Sequence, residues 1–514
     1  MAIDYNFLRY NAIDSAATIE IWNSIKGDID LRGYKSAYDL TMSFFPALMA
    51  MQTRGICVNA TAMEQTKIDI TNKRLALQEE LNTLCGFELN CNSPKQCAQY
   101  FYVTKGRPTY YNKDGGVTTD DKALQRLARG TAKLPGLREA RLVQDIRGLV
   151  KLYGTYLDID FDTDGRLRCS YNPRGTKFGR LSSSATVFGT GTNLQNLPQE
   201  FKKFLVADPG YFLWEIDKRQ AEWIVVAYIS GDANMITVIE NEDDPHTHTA
   251  HLMFGVPKDI IIKDAKLIGG LMDRDEIRRR RQNDPDIMPY VGMLPPSMSA
   301  RQMGKKSNHG LNYDEGYNTF ALLNEVEISE AKRTIELYHK IYPGIRNWHE
   351  HVRNQLSKDR TLTNTFGRKI RFLDAWGDTM FKSAYSAIPQ SSVGDCTNIG
   401  MRDIYNSDLT SLTGGTNLDI LAQVHDSVLM QVPLSILSDD HFITVVKRCY
   451  GYMESEMEYN GRKFKIPTDS KVGMNWAGFH ATGNPDGMQE VDITTDAKTF
   501  MDSVRKITKW QSET

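Results

Sequence analysis

Asp217 and Asp426 each close a strand-like apolar run. The stretch 211–216 reads as a strand that ends at Asp217, with a helical pattern from about Gln220. His425, Asp426 and Ser427 separate LDILAQV from VLMQVPL, the pattern of a β-hairpin with an acid at its turn. A buried carboxylate without a partner is costly, so a cation, a metal or water must compensate it. One carboxylate holds Mg²⁺ poorly, because hard cations take several oxygens. Two strand-end carboxylates fit a two-metal site for phosphoryl transfer. Taken alone, Asp217 reads equally well as a helix N-cap.

The stretch RQMGKKSNHGLNY places Arg301, Lys305, His309 and Tyr313 four residues apart. On a helix these side chains run along one slowly drifting face. Two cations on adjacent turns suit a triphosphate, and two rings further along suit a sugar and a base. A second basic stretch holds Lys122, Arg126, Arg129, Lys133, Arg138, Arg141, Arg147 and Lys151 among few acids. It reads as a solvated helix face or as a phosphate-facing arm. His246, His248 and His251 have the spacing of a metal cluster, but no fourth ligand is near.

These groups must be positioned by a chain of 514 residues, enough for two to four domains. Its 41% hydrophobic and 25% charged residues are ordinary for a soluble globular protein. A net charge of −2 gives no global sign of a polyanionic partner, so any such sign is local. The seven cysteines show no C-x-x-C pair and read as reduced thiols of a cytosolic protein. No apolar run approaches the length of a membrane span, and the N-terminus does not read as a signal peptide. Helical patterning is expected over 1–25, 36–85 and 119–157, with loop between 86 and 118; mixed strand and helix follow from about 165.

Several segments, in one order along the chain, resemble family A DNA polymerases, the class of bacterial DNA polymerase I and its phage relatives. DKRQAE (217–222) resembles the first catalytic motif, RQMGKKSNHGLNY the nucleotide-binding helix, and QVHDS the third motif. GRLSSSATVFGTGTNLQNLP (179–198) resembles G-R-L-S-S…N-L-Q-N-I-P with extra residues inside it. YSAIPQSSVGD resembles the primer-end helix, and DPHTHTAHLMFG a fingers segment.

The resemblance implies an α+β right-hand fold: an antiparallel-sheet palm with helical fingers and thumb. The expected division is thumb 26–165, first palm part 166–235, fingers 236–344, and second palm part with a C-terminal extension over 345–514. A basic insertion near 258–300 lengthens the fingers by roughly thirty residues; its DRDEIRRRRQ reads as an acid-paired face or as a contact to template or partner. Residues 1–25, with Tyr10 and Asp14, resemble the end of a 3′–5′ exonuclease domain, as a remnant or a docking helix. A separate exonuclease chain is the implied partner.

The resemblance also implies roles. Asp217, Asp426 and the Lys218 carbonyl would hold two Mg²⁺ ions. Arg301 and Lys305 would grip the triphosphate, with Lys305 also donating a proton to the leaving pyrophosphate. Glu222, held by Tyr313, would reject a ribose 2′-hydroxyl; His246 and His309 would complete the nucleotide site. Arg180, Gln195, Asn196, Gln390 and His425 would meet the primer–template. Departures are Ser427 where the family has Glu, His309 for a Phe or Tyr, Asp314 for a Gly, and Lys382 and Ser386 in the primer-end helix. The implied function is dNTP-dependent primer extension on a DNA template, in phage replication within the host cytoplasm. The alternatives are a single-subunit RNA polymerase or reverse transcriptase, which Glu222 opposes, and a non-catalytic processivity module, which Asp217, Asp426, Arg301 and Lys305 oppose.

Overall fold

A computed structural model describes residues 5–510 apart from 113, 131–133, 272–273, 325, 410–417 and 439–440. Lys133 of the basic stretch lies outside the described residues. At the centre is a five-stranded antiparallel sheet. Its strands run in the spatial order Gln489–Val491, Thr468–Gly473, Tyr211–Lys218, Ser427–Pro433 and Asp419–Val424. The run SVLMQVP is buried at every position, because the sheet is covered on both faces and apolar alternation is not required there. The long helix Asp378–Tyr405 and the helix His441–Met453 pack together against this sheet.

The helix Lys35–Arg54 contributes Phe44, Leu48 and Met51 to the same core. The strand Ile56–Val58 that follows it pairs with Arg166–Leu167 and Leu205–Val206. This helix is built into the sheet core, and the stretch around 81–146 has a hydrophobic core of its own. The expected loop at 86–118 contains a short helix, Pro94–Ala98, continued by a turn of π-helix. Ser93 caps it, accepting from the Gln96 amide.

Another core joins the helix Ala221–Ser230 to residues as far as Phe464 and Ile466, including Trp348, Met380 and Tyr385. The insertion forms the helices Lys258–Ile268 and Arg274–Asn283 around a small core of Ile261, Ile287 and Leu294. The N-terminal helix runs unbroken over Tyr5–Leu31, across the boundary expected at 25/26, with Tyr10 and Asp14 both exposed.

Three members of the basic stretch have partners within the protein. Arg138 pairs with Glu80, Arg141 with Asp145, and Arg147 donates to the Cys91 and Thr119 carbonyls. All seven cysteines are free thiols. No helix among the described residues is long and apolar enough to cross a membrane.

Candidate active site

The two carboxylates come from neighbouring strands of the central sheet. Asp217 is the second-last residue of Tyr211–Lys218, one residue further into the strand than the sequence pattern suggests. It is not a helix cap: the cap of Ala221–Ser230 is Gln220, in a left-handed conformation at φ 51°. Asp426 sits in the tight turn between Val424 and Ser427, where His425 takes φ 54°. The Lys218 amide donates to the Asp426 carbonyl at 3.3 Å, tying the turn to the first strand. Register places Ser427 opposite Asp217 on one side and Asp469 opposite it on the other. The acids therefore gather at one end of the sheet.

Their electrostatics reflect this crowding. Burial of the carboxyl, then the neighbouring Asp426 and Glu215, pushes Asp217 up to about 7, with Lys471 pulling the other way. Lys471 Nζ lies 3.8 Å from Asp217 Oδ2. Burial also raises Asp426, partly offset by Arg180. Hard oxygen donors packed this closely, with one cation at long range, suit a divalent ion. Among the described residues, no three or more His, Cys, Asp or Glu side chains converge as a metal cage. The protein thus offers an open two-carboxylate site that further oxygens must complete. The Lys218 side chain is buried and turned away, donating to the Met453 carbonyl, so only its backbone is available here.

Facing the acids is a cavity of about 270 Å³ lined by Glu222, His246, Lys305, His309, Tyr313 and Asp426, among others. The helix Ala300–Leu311, capped by Ser299, carries Arg301, Lys305 and His309 along one face. Tyr313 lies beyond the helix end, in a turn closed by its amide on the Gly310 carbonyl. Its hydroxyl donates to Glu222 Oε2 at 2.5 Å, while Arg180 donates to Oε1. The Arg301 guanidinium is bidentate on Asp244, at 2.9 and 3.0 Å. It therefore sits beside the cavity rather than in its lining.

Helix Ala300–Leu311 crosses Pro245–Phe254 closely at Gly304, where a Cβ would stand 2.2 Å from the His246 carbonyl oxygen. That approach brings His246 against Asn308, with 3.1 Å between Nδ1 and Nδ2. Burial pushes His246 down to about 4, so it is neutral near pH 7. His248 instead neighbours Asp243, and His251 Nδ1 faces the Val256 carbonyl, so the three histidines do not converge.

The residues expected at the primer–template divide. Asn196 and His425 are exposed and Gln390 is half-buried. Gln195 is buried: its amide donates to the Gln423 carbonyl at 2.8 Å and accepts from the His425 amide at 3.1 Å. It holds the turn that carries Asp426. Sequence reasoning missed Asp244, Asn308, Glu215 and Lys471. The first two stand in or beside segments already singled out. Glu215 and Lys471 emerge only from strand register.

A family profile described as DNA polymerase family A matches residues 60–266 and 294–478. The unmatched stretch between them, 267–293, holds the helix Arg274–Asn283. A DNA polymerase I of Treponema pallidum (strain Nichols) is 26% identical over 491 residues, covering 92% of this chain and 43% of that protein. One of Rhizobium leguminosarum is 28% identical over 497 residues, with the same coverage. The chain thus spans less than half the length of these relatives. Among solved structures, "POL domain of Pol1 from M. smegmatis complex with DNA primer-template and dNTP" superposes with a TM-score of 0.67 at 23% identity. It covers 85% of this chain and 70% of that one. The fold is accordingly the right-hand fold, with an antiparallel-sheet palm and helical fingers and thumb. The matched stretches make up more than half of the sequence and include the residues that build this cavity, and the chain belongs to DNA polymerase family A.

Proposed function

We propose that the chain extends a DNA primer on a DNA template with dNTPs, by nucleotidyl transfer at a two-metal site. The observation that supports this most is the meeting of Asp217 and Asp426 at one sheet end, beside a cavity lined by Lys305, Glu222 and Tyr313. In this reading Asp217, Asp426 and the Lys218 carbonyl hold two Mg²⁺ ions, which when bound activate the attacking 3′-hydroxyl and stabilise the leaving oxygen. Lys305, exposed in the cavity, places its ammonium on the triphosphate and is the proton donor to the leaving pyrophosphate. Arg301 reaches the phosphates by exchanging its Asp244 carboxylate for a phosphate oxygen, a swap between two bidentate acceptors. His309 packs edge-on to Tyr313, with ring centroids 6.1 Å apart, and borders the sugar. His425, Asn196 and Gln390 meet the primer–template. Arg180 serves there through its hold on Glu222.

Glu222 is the sugar gate. Both of its oxygens are held, so it cannot swing aside for a 2′-hydroxyl. Primer extension with competing dNTPs and rNTPs tests this. The chain should incorporate dNTPs in Mg²⁺ and discriminate strongly against rNTPs, and Glu222→Ala should raise rNTP use by about 10²-fold, the scale of a lost specificity contact. An unchanged ratio removes the gate, and absence of any templated extension removes the function.

A further inference from the structure

Glu215 precedes Asp217 by two residues on one strand, so both side chains leave the sheet on the same face. Ser427, directly across from Asp217, places its hydroxyl 3.1 Å from Glu215 Oε1 and also 3.1 Å from the Val424 carbonyl, so its one hydrogen is shared between the two. Trp476 Nε1 donates to the same oxygen at 3.2 Å. Among the described residues, Oε2 has no donor within hydrogen-bond distance. Glu215 borders a second cavity, of about 530 Å³, lined also by Lys202, Lys471 and Trp476. Lys471 is its cross-strand partner and Lys202 is near enough to interact with its charge, but among the described residues neither forms a close ion pair with it. Lys471 stands 3.8 Å from Asp217, and the Lys202 ammonium lies 4.2 Å from the centre of the Trp476 ring. A half-buried carboxylate is thus clamped by two donors beside acids that already repel one another. The two lysines offset this negative charge only in part, and the remainder favours a cation held nearby.

We propose that Glu215 is a positioning residue of the metal centre: its clamped carboxylate adds negative potential at Asp217 and raises divalent-cation affinity without joining the ligand set. Among the described residues no third carboxylate closes the cage, so the action is through space. Ser427 sets its direction, and register makes 427 the cross-strand position from which a carboxylate would face Asp217 directly. That role presupposes the two-metal reading above.

Mn²⁺ binding to the purified chain, followed by the electron paramagnetic resonance signal of the free ion, separates the two ideas. Glu215→Gln keeps an amide oxygen for Ser427 and Trp476 while removing the charge. It should weaken Mn²⁺ binding about tenfold and raise the Mg²⁺ needed for half-maximal primer extension by the same factor. The double variant Glu215→Gln, Ser427→Glu should regain most of the lost affinity, which repair of a purely structural defect would not achieve. Wild-type Mn²⁺ affinity in Glu215→Gln, or no recovery in the double variant, overturns the proposal. Asp217→Asn tests the underlying reading separately. Loss of Mn²⁺ there with no effect of Glu215→Gln rejects the role of Glu215 alone. Retained Mn²⁺ there rejects the two-metal reading and this role with it.

Discussion

Asp217 stands where a negative charge is costly. The side chain is 38% exposed, yet its carboxyl is enclosed beside Asp426 and Glu215, with Asp469 opposite and the Lys471 ammonium 3.8 Å away. Its proton affinity is raised to about 7 in the folded state, against 3.8 ordinarily. The sign follows directly. The folded state holds the proton more tightly, so the stabilisation is complete below about pH 4 and is lost as pH rises towards 7. Asp217→Asn carries no charge to repel. In chelator, its melting temperature should exceed that of the wild type at pH 8, and the difference should close as pH falls towards 4. Equal melting temperatures across that range contradict the account of the acid cluster. Divalent ions should reverse the order at pH 8, because only the wild type gains binding energy from them.

At the scale of elements, the insertion is anchored to the helix Ala300–Leu311 through a buried ion pair. Arg281 and Asp264 are 2% and 0% exposed, with Nε–Oδ1 at 2.7 Å. The guanidinium also donates to the Pro295 and Met298 carbonyls, and Asp264 Oδ2 accepts the amide of Ala300, the first residue of Ala300–Leu311. The four-arginine run thus divides. Arg279 and Arg280 make exposed helical pairs with Glu276. Such pairs are worth about 0.5 kcal/mol. Arg281 is a structural post. Arg281→Met strands the Asp264 charge and should cost about 3–5 kcal/mol, whereas Arg281→Met with Asp264→Leu should recover most of it. Denaturant unfolding of the two variants measures this, with Arg279→Ala as the near-neutral comparison. Equal effects of Arg281→Met and Arg279→Ala would remove the post.

Sequence pattern made the hairpin around Asp426, the helix bearing Arg301, Lys305 and His309, and the helix after Asp217 legible, because each shows a clean period broken by a turn residue. Partners set by register did not show. Glu215, Ser427 and Lys471 lie far apart in the chain, and only strand pairing brings them together. Gln195 was readable as a motif residue but not as buried, since nothing local reveals that the Gln423 carbonyl and the His425 amide take both ends of its amide. The same holds for helix Lys35–Arg54. Its periodicity marks a helix, but only tertiary contact assigns it to the palm core.

Across the whole molecule, the palm sheet fixes the acids and the fingers helix faces them across the cavity. Glu222 bridges the two through Tyr313, and Gln220 does so through Asp244. The central claim is that Asp217 and Asp426 form the metal-holding pair that carries primer extension. The most direct measurement is extension of a labelled primer by Asp217→Ala and Asp426→Ala in saturating Mg²⁺, beside primer–template binding by the same proteins. Each variant should bind primer–template about as well as the wild type and extend it at least about 10³-fold more slowly, since each loses a carboxylate that holds the ions. Extension within a few-fold of wild type by either variant would contradict the account.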